Sequence, residues 1–509
     1  MSAPGLLGTS LPEALLRGAG SAPARAAFGT LGTPTDWSHT ELCERYAAVA
    51  AGFARRGIGP GDRVLIRVSS EPDDVLALLG LLHLGAVPVS VKPRVPGIDD
   101  SRYLAEVAHL QDARYAHRMD VAGTVPVDLE PVPGAAPPPA VPAPEDIALV
   151  QYTSGSTGTP RAIPLSHRAV LANIAAIRSE SGMGTGSTGL IVVPLHHDMG
   201  LVGLFTCLTG GIDLVLERTA VFLRKPLAVL QQTAGAEALH VAFPDFMLRY
   251  LAARIEAAQA RGALPSDLMS SWSTVFCGAE AIRRTTVRTF LTAAGPLGLR
   301  PGALLFCYGL AEASLMATAH RFVDDRTSFE GDLDTGSACL GRPIPGLELL
   351  VAGPDGRPCA DGEVGAVRLR GSTLFSGYDG ATDHTVEWFD TGDLGRLRSG
   401  RLHLSGRRAD RVSVGGVNVF VTDVEDLVLR MDGVSDCVVL PNQDTFDVLL
   451  VADTRRQLVL ADVAARVTGT FGVAPGQVRT VPRQAVVRTA SGKPARAHML
   501  EQLRQGVPG

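Results

Sequence analysis

Short apolar segments alternate with longer amphipathic segments along most of this sequence. The apolar stretches at 190–194, 212–217 and 239–243 have the length of buried strands. Those at 199–209, 246–261 and 284–294 have the apolar spacing of helices. Strands that alternate with helices favour parallel sheets whose faces are covered by helices. We therefore predict an α/β fold with a large N-terminal domain of parallel-type sheets covered by helices.

The two ends of the chain differ from this pattern. Residues 1–62 predict a helical lead-in, and residues 362–405 predict a small β subdomain of short strands and turns. After Asp410, strand and helix patterns alternate with a new spacing, which predicts a small α+β domain. We therefore expect two domains, residues 1–409 and residues 410–509, joined by a polar hinge.

Composition excludes several classes of function. A net charge of −5 gives no reason to expect nucleic acid or an anionic membrane as a partner. No apolar run approaches the roughly 20 residues that cross a bilayer, so we expect no membrane span. The seven cysteines form no CxxC pair, which fits reduced thiols and argues against a zinc site. These features together predict a cytoplasmic protein.

One loop is unusually rich in glycine, serine and threonine. Residues 152–161 read Tyr-Thr-Ser-Gly-Ser-Thr-Gly-Thr-Pro-Arg and follow a buried strand at 147–150. A helix pattern at 169–177 comes next, and Ser166 is its predicted N-terminal cap. We read the loop as a strand-to-helix connection whose backbone N–H groups and hydroxyls bind phosphate. It lacks the Gly-Lys-Ser/Thr of a Walker loop. A flexible surface loop is the alternative.

Other candidate residues follow the predicted strands. Ligands bind at the carboxyl ends of parallel strands, where His196–Asp198, Gly278–Glu280 and Tyr308–Glu312 fall. An aromatic ring such as that of Tyr308 stacks on a nucleobase, and a carboxylate such as Glu312 holds Mg²⁺ beside a triphosphate. A core tyrosine and a surface glutamate are the alternative. The two adjacent histidines lack a third ligand for a metal site.

The loop at 152–161 resembles the phosphate loop of the adenylate-forming superfamily, which includes acyl-CoA ligases, peptide-synthetase adenylation domains and fatty acyl-AMP ligases. Further segments resemble the motifs of that family, in the same order along nearly the whole chain. They are Pro194–Leu201, Phe276–Glu280, Cys307–Glu312, Trp388–Leu394, Gly406–Asp410 and Arg488–Lys493. Leu-Ala between Gly309 and Glu312 is the form typical of fatty acyl-AMP ligases.

The resemblance implies a role for each matching residue. Lys493, Glu312 and Arg407 would be catalytic, with Glu312 as the Mg²⁺ ligand. Residues 1–409 would form the ATP- and acyl-binding domain, and residues 410–509 a mobile lid that turns about Asp410 as its hinge. The acyl pocket would include His197, Phe243 and Gly309. The residues that would bind ATP and AMP are Thr153, Ser154, Gly155, Ser156, Thr157, Gly158, Arg161, Gly278, Ala279, Glu280, Tyr308, Gly309, Asp393 and Arg407.

Lys493 also has a physical argument of its own. It is one of only three lysines, with Lys92 and Lys225, in a chain whose other 44 basic residues are arginine. A carboxylate that attacks an α-phosphate is itself an anion, so a cation between them offsets the repulsion and stabilises the transition state. A solvated C-terminal lysine is the alternative.

The function that the resemblance implies is activation of a carboxylic acid, a fatty or other aliphatic acid, by ATP and Mg²⁺ to an acyl-adenylate. The acyl group would then pass to the phosphopantetheine thiol of an acyl carrier protein in natural-product biosynthesis. CoA is the alternative acceptor, and a nucleotide-binding protein without ligase activity is the alternative from another class.

Two departures from the family pattern bear on these roles. Arg161 replaces the usual lysine of the phosphate loop, so it keeps the charge but changes the shape of the group. Glu312 and Gly341 are only 29 positions apart, which leaves little room for an insertion that fatty acyl-AMP ligases carry and that is linked to the exclusion of CoA. The resemblance therefore supports adenylation more strongly than it supports the carrier protein as acceptor.

Overall fold

A computed structural model gives the structure of the chain. It describes residues 9–31, 34–91, 100–127, 137–152, 161–262, 264–330, 337–378, 387–414, 417–442, 445–452, 460–487, 496 and 499–500. Contacts divide them into two compact units. The first contains the described residues of 9–152, 162–349 and 369–387, and the second contains Arg161, residues 350–368 and the described residues from 388 onward.

The described residues contain thirteen α-helices. Their bounds are α1 Leu11–Ser21, α2 His39–Arg55, α3 Pro72–His83, α4 Ser101–Leu110, α5 His167–Ser181, α6 Asp198–Gly210, α7 Thr219–Arg224, α8 Pro226–Gln231, α9 Asp245–Gln259, α10 Arg284–Ala294, α11 Asp325–Ser328, α12 Val421–Leu429 and α13 Leu460–Phe471. Among them no helix combines the length and the apolar character that a bilayer crossing requires.

The same residues contain twenty-four strands. The first twelve are β1 Arg25–Phe28, β2 Thr35–Ser38, β3 Arg63–Arg67, β4 Val87–Val91, β5 Tyr115–His117, β6 Val125–Val127, β7 Ile147–Tyr152, β8 Ala162–Ser166, β9 Ser187–Ile191, β10 Asp213–Leu216, β11 Ala238–Phe243 and β12 Trp272–Cys277. The others are β13 Leu304–Gly309, β14 Met316–Arg321, β15 Cys339–Pro343, β16 Leu347–Ala352, β17 Gly365–Gly371, β18 Phe389–Arg398, β19 Arg401–Arg407, β20 Arg411–Val414, β21 Val417–Phe420, β22 Val434–Asn442, β23 Thr445–Ala452 and β24 Gln477–Thr480.

Two largely parallel sheets form the first unit. One has the order β6-β5-β3-β4-β7-β8, and the other runs β15-β14-β13-β12-β11-β9-β10-β1-β2. From β13 to β1 every neighbouring pair in the second sheet is parallel. Helices α5 and α6 carry many buried apolar side chains, as expected of helices that cover a sheet. The predicted α/β fold of sheets covered by helices is therefore confirmed.

The N-terminal segment differs from its prediction. Instead of a purely helical lead-in, it contains the strands β1 and β2 between α1 and α2. Ala26 and Phe28 of β1 are buried, and the register pairs Ala26 with Leu214 of β10. The strand is only four residues long. So short a stretch has no recognisable period, and its strand character comes from its distant partner β10.

The connection at the predicted phosphate loop also differs from its prediction. Residues 153–160 lie outside the described residues, but they join β7 to the antiparallel strand β8 and do not lead directly into a helix. Ile163 and Leu165 of β8 are buried against β7, which explains why this segment is a strand. The predicted serine cap is confirmed: Ser166 Oγ accepts the Ala169 N–H of α5 at 3.1 Å.

The second unit contains an antiparallel group and a small α+β core. Strands β17, β18 and β19 are neighbours, β20 pairs with β21, and β22, β23 and β24 form a three-stranded sheet. The hydrophobic core of the α+β part lies between the three-stranded sheet and the helices α12 and α13. Phe446, Val428 and Val463 are fully buried in it. The domain boundary at residue 410 stays a prediction.

His167 connects the first turn of α1 to α5. Its Nδ1 accepts the Leu11 N–H at 3.1 Å, and this N–H has no partner within its own helix. Burial lowers the pKa of His167 from 6.5 to about 4, and only the neutral ring accepts this bond. Because the folded pKa is lowered, the contribution of His167 to stability is complete above pH 6.5 and is lost as the pH falls towards 4.

This linkage predicts a difference between the protein and its His167→Asn variant. Asparagine keeps an acceptor but does not titrate near neutral pH. Between pH 7.5 and 5, the free energy of unfolding of the native chain should fall by about 2 kcal/mol more than that of the variant. Urea unfolding of both proteins at the two pH values measures the difference. If both proteins lose the same free energy of unfolding between the two pH values, His167 does not have a lowered pKa in the folded state.

Candidate active site

Most of the predicted site residues in the first unit lie at one edge of the second sheet. Strands β9, β11, β12 and β13 are parallel neighbours, so their carboxyl ends meet at that edge. Gly278–Glu280 follow β12, Tyr308 and Gly309 end β13, and Glu312 lies in the short 3₁₀ turn Ala311–Ala313. The sequence placed these residues at strand ends, and the pairing of the strands brings the ends together.

A cavity of about 100 Å³ opens beside this edge. Four of the predicted residues line it: Gly278, Ala279, Tyr308 and Gly309. Most of the remaining wall is apolar and comes from strands β9 and β11 and from helix α6. An apolar cavity with a few polar groups is the usual form of a site for a small organic ligand.

The wall at the ends of β12 and β13 depends on residues without side-chain bulk. A Cβ on Gly309 would lie 1.8 Å from the Leu315 carbonyl oxygen, and a Cβ on Gly278 would lie 2.8 Å from that of Cys307. Ala279 has φ +66°, a conformation that alanine rarely adopts. Strained backbone of this kind is concentrated at ligand sites, which agrees with the position of Ala279 on the cavity wall.

Glu280 contacts a helix instead of the cavity. Its Oε1 accepts the backbone N–H of Phe246, in the first turn of α9, at 2.6 Å. Burial raises the pKa of Glu280, and this hydrogen bond partly offsets the effect. Carboxylates stabilise the N-terminal turn of a helix, so the contact gives Glu280 a structural task. Its predicted role at the nucleotide stays a prediction.

Glu312 is held in place by two partners from the segment that follows β17. The hydroxyl of Tyr378 donates to Glu312 Oε1 at 2.6 Å, and the N–H of Phe375 donates to the Glu312 carbonyl oxygen at 2.8 Å. The rings of Phe375 and Tyr378 pack edge to face, with centroids 4.9 Å apart. Sequence reasoning missed Tyr378, because 66 positions separate it from Glu312.

The surroundings of Glu312 fit a magnesium ion that arrives with ATP. No group of three or more metal-ligating side chains occurs in the part of the chain that the structure describes. Mg²⁺ in nucleotide sites is typically bound by one or two carboxylates together with substrate phosphates and water. Glu312 meets that need, since Tyr378 bonds Oε1 and this bond fixes the orientation of the carboxylate.

Loss of the Tyr378 hydroxyl should therefore weaken activity without removing it. A hydrogen bond to a charged group contributes about 1.5–3 kcal/mol, so Tyr378→Phe should lower kcat/KM for ATP about tenfold. Steady-state assays of pyrophosphate release measure this. Tyr115→Phe is the matched control, because its hydroxyl donates to the Gly57 carbonyl in an exposed position. An unchanged kcat/KM in Tyr378→Phe would argue against the positioning role.

In the second unit, two predicted nucleotide-binding residues face each other across a hairpin. Asp393 of β18 pairs in register with Arg407 of β19, and the Arg407 Nε lies 3.3 Å from Asp393 Oδ1. The Asp393 side chain is 9% exposed, whereas that of Arg407 is 48% exposed. The ion pair positions the carboxylate, and the exposed guanidinium retains donors for an anionic ligand. Their predicted contacts with ribose and phosphate stay predictions.

The predicted hinge residue lies beside an ionic cluster that the sequence did not indicate. Asp410 Oδ1 is 3.7 Å from Nη1 of Arg496, whose Nη2 also donates to both oxygens of Glu425, at 2.7 and 2.8 Å. Arg496 Nε donates to the Val439 carbonyl at 3.1 Å. This network fixes Arg496, three positions after Lys493, next to Asp410 within the second unit. The hinge role of Asp410 itself stays a prediction.

The three predicted residues of the acyl pocket have different positions. Gly309 lines the cavity. Phe243 is fully buried against Phe222 and Trp272, with ring centroids 5.4 and 6.1 Å away, and is not part of the cavity wall. His197 is the residue before α6, half-buried beside the ring of His196, and is likewise not part of that wall.

Phe243 packs among aromatic side chains, with Phe222 and Trp272 as neighbours. The predicted roles of Phe243 and His197 in the acyl pocket stay predictions. Three positions before Phe243 on β11, His240 lines the cavity. Sequence reasoning missed His240, because the pattern shows which residues alternate but not which set faces the ligand.

Some predicted residues cannot be placed in the same way. Thr153, Ser154, Gly155, Ser156, Thr157, Gly158 and Lys493 lie outside the described residues. Arg161 is described, and it is exposed immediately before β8. The roles of all these residues stay predictions.

Comparison with known proteins gives consistent matches. Residues 16–379 match the family described as "AMP-binding enzyme". The chain is 26% identical over 570 aligned positions to the putative fatty-acid–CoA ligase FadD21 of Mycobacterium bovis, with 97% of this chain and 98% of that protein covered. It is 27% identical over 578 positions to the long-chain-fatty-acid–AMP ligase FadD26 of Mycobacterium marinum, with 97% of each covered.

A solved structure has a similar fold. It comes from a study of fatty acyl-adenylate ligases from E. coli and L. pneumophila, and it superimposes with a TM-score of 0.86. The match covers 98% of each chain at 24% sequence identity. At that identity the likeness establishes a shared fold.

Proposed function

The chain belongs to the family of AMP-binding enzymes and is an acyl-adenylate-forming ligase, and on that premise we propose a full reaction. The enzyme activates an aliphatic carboxylic acid with ATP and Mg²⁺. It then transfers the acyl group to the phosphopantetheine thiol of an acyl carrier protein. The product is an acyl thioester for biosynthesis.

The chemistry has two steps. In the first, a carboxylate oxygen of the acid attacks the α-phosphorus of ATP, the bond from that phosphorus to the bridging oxygen breaks, and pyrophosphate leaves. In the second, the thiol loses its proton and attacks the acyl carbonyl, and AMP leaves. Bound Mg²⁺ would neutralise charge on the phosphates, and Glu312 is the residue proposed to hold it.

The observation that supports this proposal best is the cavity at the sheet edge. Gly278, Ala279, Tyr308 and Gly309 share its wall, so residues proposed for the nucleotide border an apolar space suited to an acyl chain. Tyr308 is 7% exposed and would stack on adenine. Asp393 is proposed to bind the ribose, Arg407 the ribose or a phosphate, and Lys493 the reacting carboxylate and the α-phosphate.

Two observations bear on the acceptor. The Leu310-Ala311 pair before Glu312 has the form seen in fatty acyl-AMP ligases, and one such ligase is among the relatives, which supports a carrier protein. However, the alignments to both ligases are longer than the 509 residues of this chain, so the relatives contain segments that this chain lacks. CoA is therefore the second candidate acceptor.

Mass spectrometry of the product tests the first step. The protein is incubated with Mg-ATP and a panel of aliphatic, aryl and amino acids, without any thiol. We expect an acyl-adenylate with aliphatic acids. If no acid yields an adenylate although ATP binds, the chain is a nucleotide-binding protein without ligase activity, and the proposal is wrong.

The acceptor is tested by a second addition. Phosphopantetheinylated acyl carrier protein and CoA are each supplied to the adenylated enzyme, and thioester formation is followed over time. Faster transfer to the carrier protein supports the proposal. Faster transfer to CoA would replace it with an acyl-CoA ligase.

A further inference from the structure

The cavity contains a buried polar side chain that the proposed reaction does not use. His240 lies in the middle of β11, is 3% exposed and lines the cavity. Its Nδ1 is buried and has no hydrogen-bond partner among the described residues. Buried polar atoms in native proteins nearly always have a partner, and an exception calls for an explanation such as a ligand.

The register of the sheet places a glycine beside His240. Its neighbour on β9 is Gly189, which has no side chain and also lines the cavity. A Cβ on Gly189 would lie 2.4 Å from the Sγ of Cys207 on α6, which also lines the cavity. Because Gly189 has no side chain, the Sγ of Cys207 occupies the space over it, and Gly189, Cys207 and His240 all line the floor of the cavity.

His240 is a neutral group in this environment. Burial lowers the pKa of His240 to about 4, so near neutral pH one ring nitrogen donates and the other accepts. Its neighbour on β12, Thr274, donates its hydroxyl to the Ser181 carbonyl at 3.2 Å. That hydroxyl is therefore committed elsewhere. A hydroxyl group on a ligand both donates and accepts, so it would satisfy Nδ1 in either tautomer of the ring.

We propose that His240 selects the acid: the preferred substrate carries a hydroxyl on its acyl chain, placed to hydrogen-bond His240 on the cavity floor. The inference rests on the proposed function and specifies its substrate class. A cavity of about 100 Å³ is smaller than a cavity of ~150 Å³ that holds benzene. The part of the chain that enters it is therefore short.

The expected selectivity follows from the cost of an unpaired polar atom. An alkyl chain against His240 leaves Nδ1 without a partner, whereas a hydroxylated chain supplies one. Sites built to hydrogen-bond a substrate hydroxyl reject analogues that lack it far more strongly than apolar sites reject analogues that carry it. We expect kcat/KM for the best hydroxy acid to exceed that of the matching plain acid at least tenfold.

Adenylation of matched acids tests the inference. Plain acids of about four to ten carbons are compared with the same acids hydroxylated at successive positions, without acceptor, by acyl-AMP yield and pyrophosphate release. His240→Leu should lower the ratio of hydroxylated to plain kcat/KM at least tenfold. His240→Asn places a polar atom near the position of Nδ1 and should restore part of the ratio.

Two controls keep the result interpretable. Leucine removes a buried polar atom, so the melting temperature of His240→Leu should equal or exceed that of the native protein. Met199→Leu changes another cavity-lining side chain without changing its polarity and should leave the ratio within about threefold.

The outcomes separate the two proposals. If plain acids form adenylates as well as every hydroxylated acid does, or if His240→Leu leaves the ratio unchanged, the inference about His240 is wrong and the proposed function stands. If no acid of either kind forms an adenylate, the proposed function is wrong and the inference fails with it.

Discussion

Replacement of Lys493 by alanine should lower the rate of acyl-adenylate formation about 10²–10³-fold. The attacking carboxylate and the α-phosphate are both anionic, and the proposed ammonium group between them stabilises the negative charge that accumulates in the transition state. The effect should fall on kcat, since the contact is proposed to act at the reacting atoms. Acyl-AMP yield under single-turnover conditions measures it.

The chain offers a matched control for this experiment. Lys225 is exposed at the end of α7, so Lys225→Ala removes the same charge from a surface position. It should retain full activity. A second control is thioester formation from acyl-AMP supplied in place of acid and ATP, a step that does not require the proposed contact. If Lys493→Ala adenylates at the native rate, Lys493 is a solvated lysine and the catalytic assignment is wrong.

Replacement of Glu312 by glutamine should lower the rate of adenylation at least about 10²-fold and raise the Mg²⁺ concentration required for half-maximal activity. The amide has nearly the same size and still accepts from the hydroxyl of Tyr378, so the fold around it is preserved. What the variant loses is the negative charge, which is the property that a Mg²⁺ ligand requires. A titration of activity with Mg²⁺ at fixed ATP measures both changes.

A double variant, Glu312→Gln with Tyr378→Phe, tests whether Tyr378 acts by orienting the Glu312 carboxylate. If Tyr378 acts by orienting the Glu312 carboxylate, its removal should cost much less in the Glu312→Gln background than in the native protein. If the two losses multiply, Tyr378 acts independently of Glu312. Unchanged Mg²⁺ dependence in Glu312→Gln would show that the metal is held elsewhere.

The amino-acid sequence alone determined the features that depend on short stretches of chain. The alternation of apolar and amphipathic segments predicted α10, Arg284–Ala294, to the residue, and Ser166 was recognised as the cap of α5. The motifs at Gly278 and Tyr308 were assigned to strand ends, where the structure has them. Local spacing controls these features, because helix periodicity, capping and strand ends involve residues that are near neighbours in the sequence.

Only the tertiary structure decided which residues meet and which way they face. Tyr378 bonds Glu312 across 66 positions, Arg496 joins Glu425 to Asp410, and β1 becomes a strand because β10 pairs with it. On β11, His240 lines the cavity, whereas Phe243 stacks on Phe222 in the core. The alternation in a strand is the same whichever side the ligand is on, so the choice of face depends on partners that are distant in the sequence.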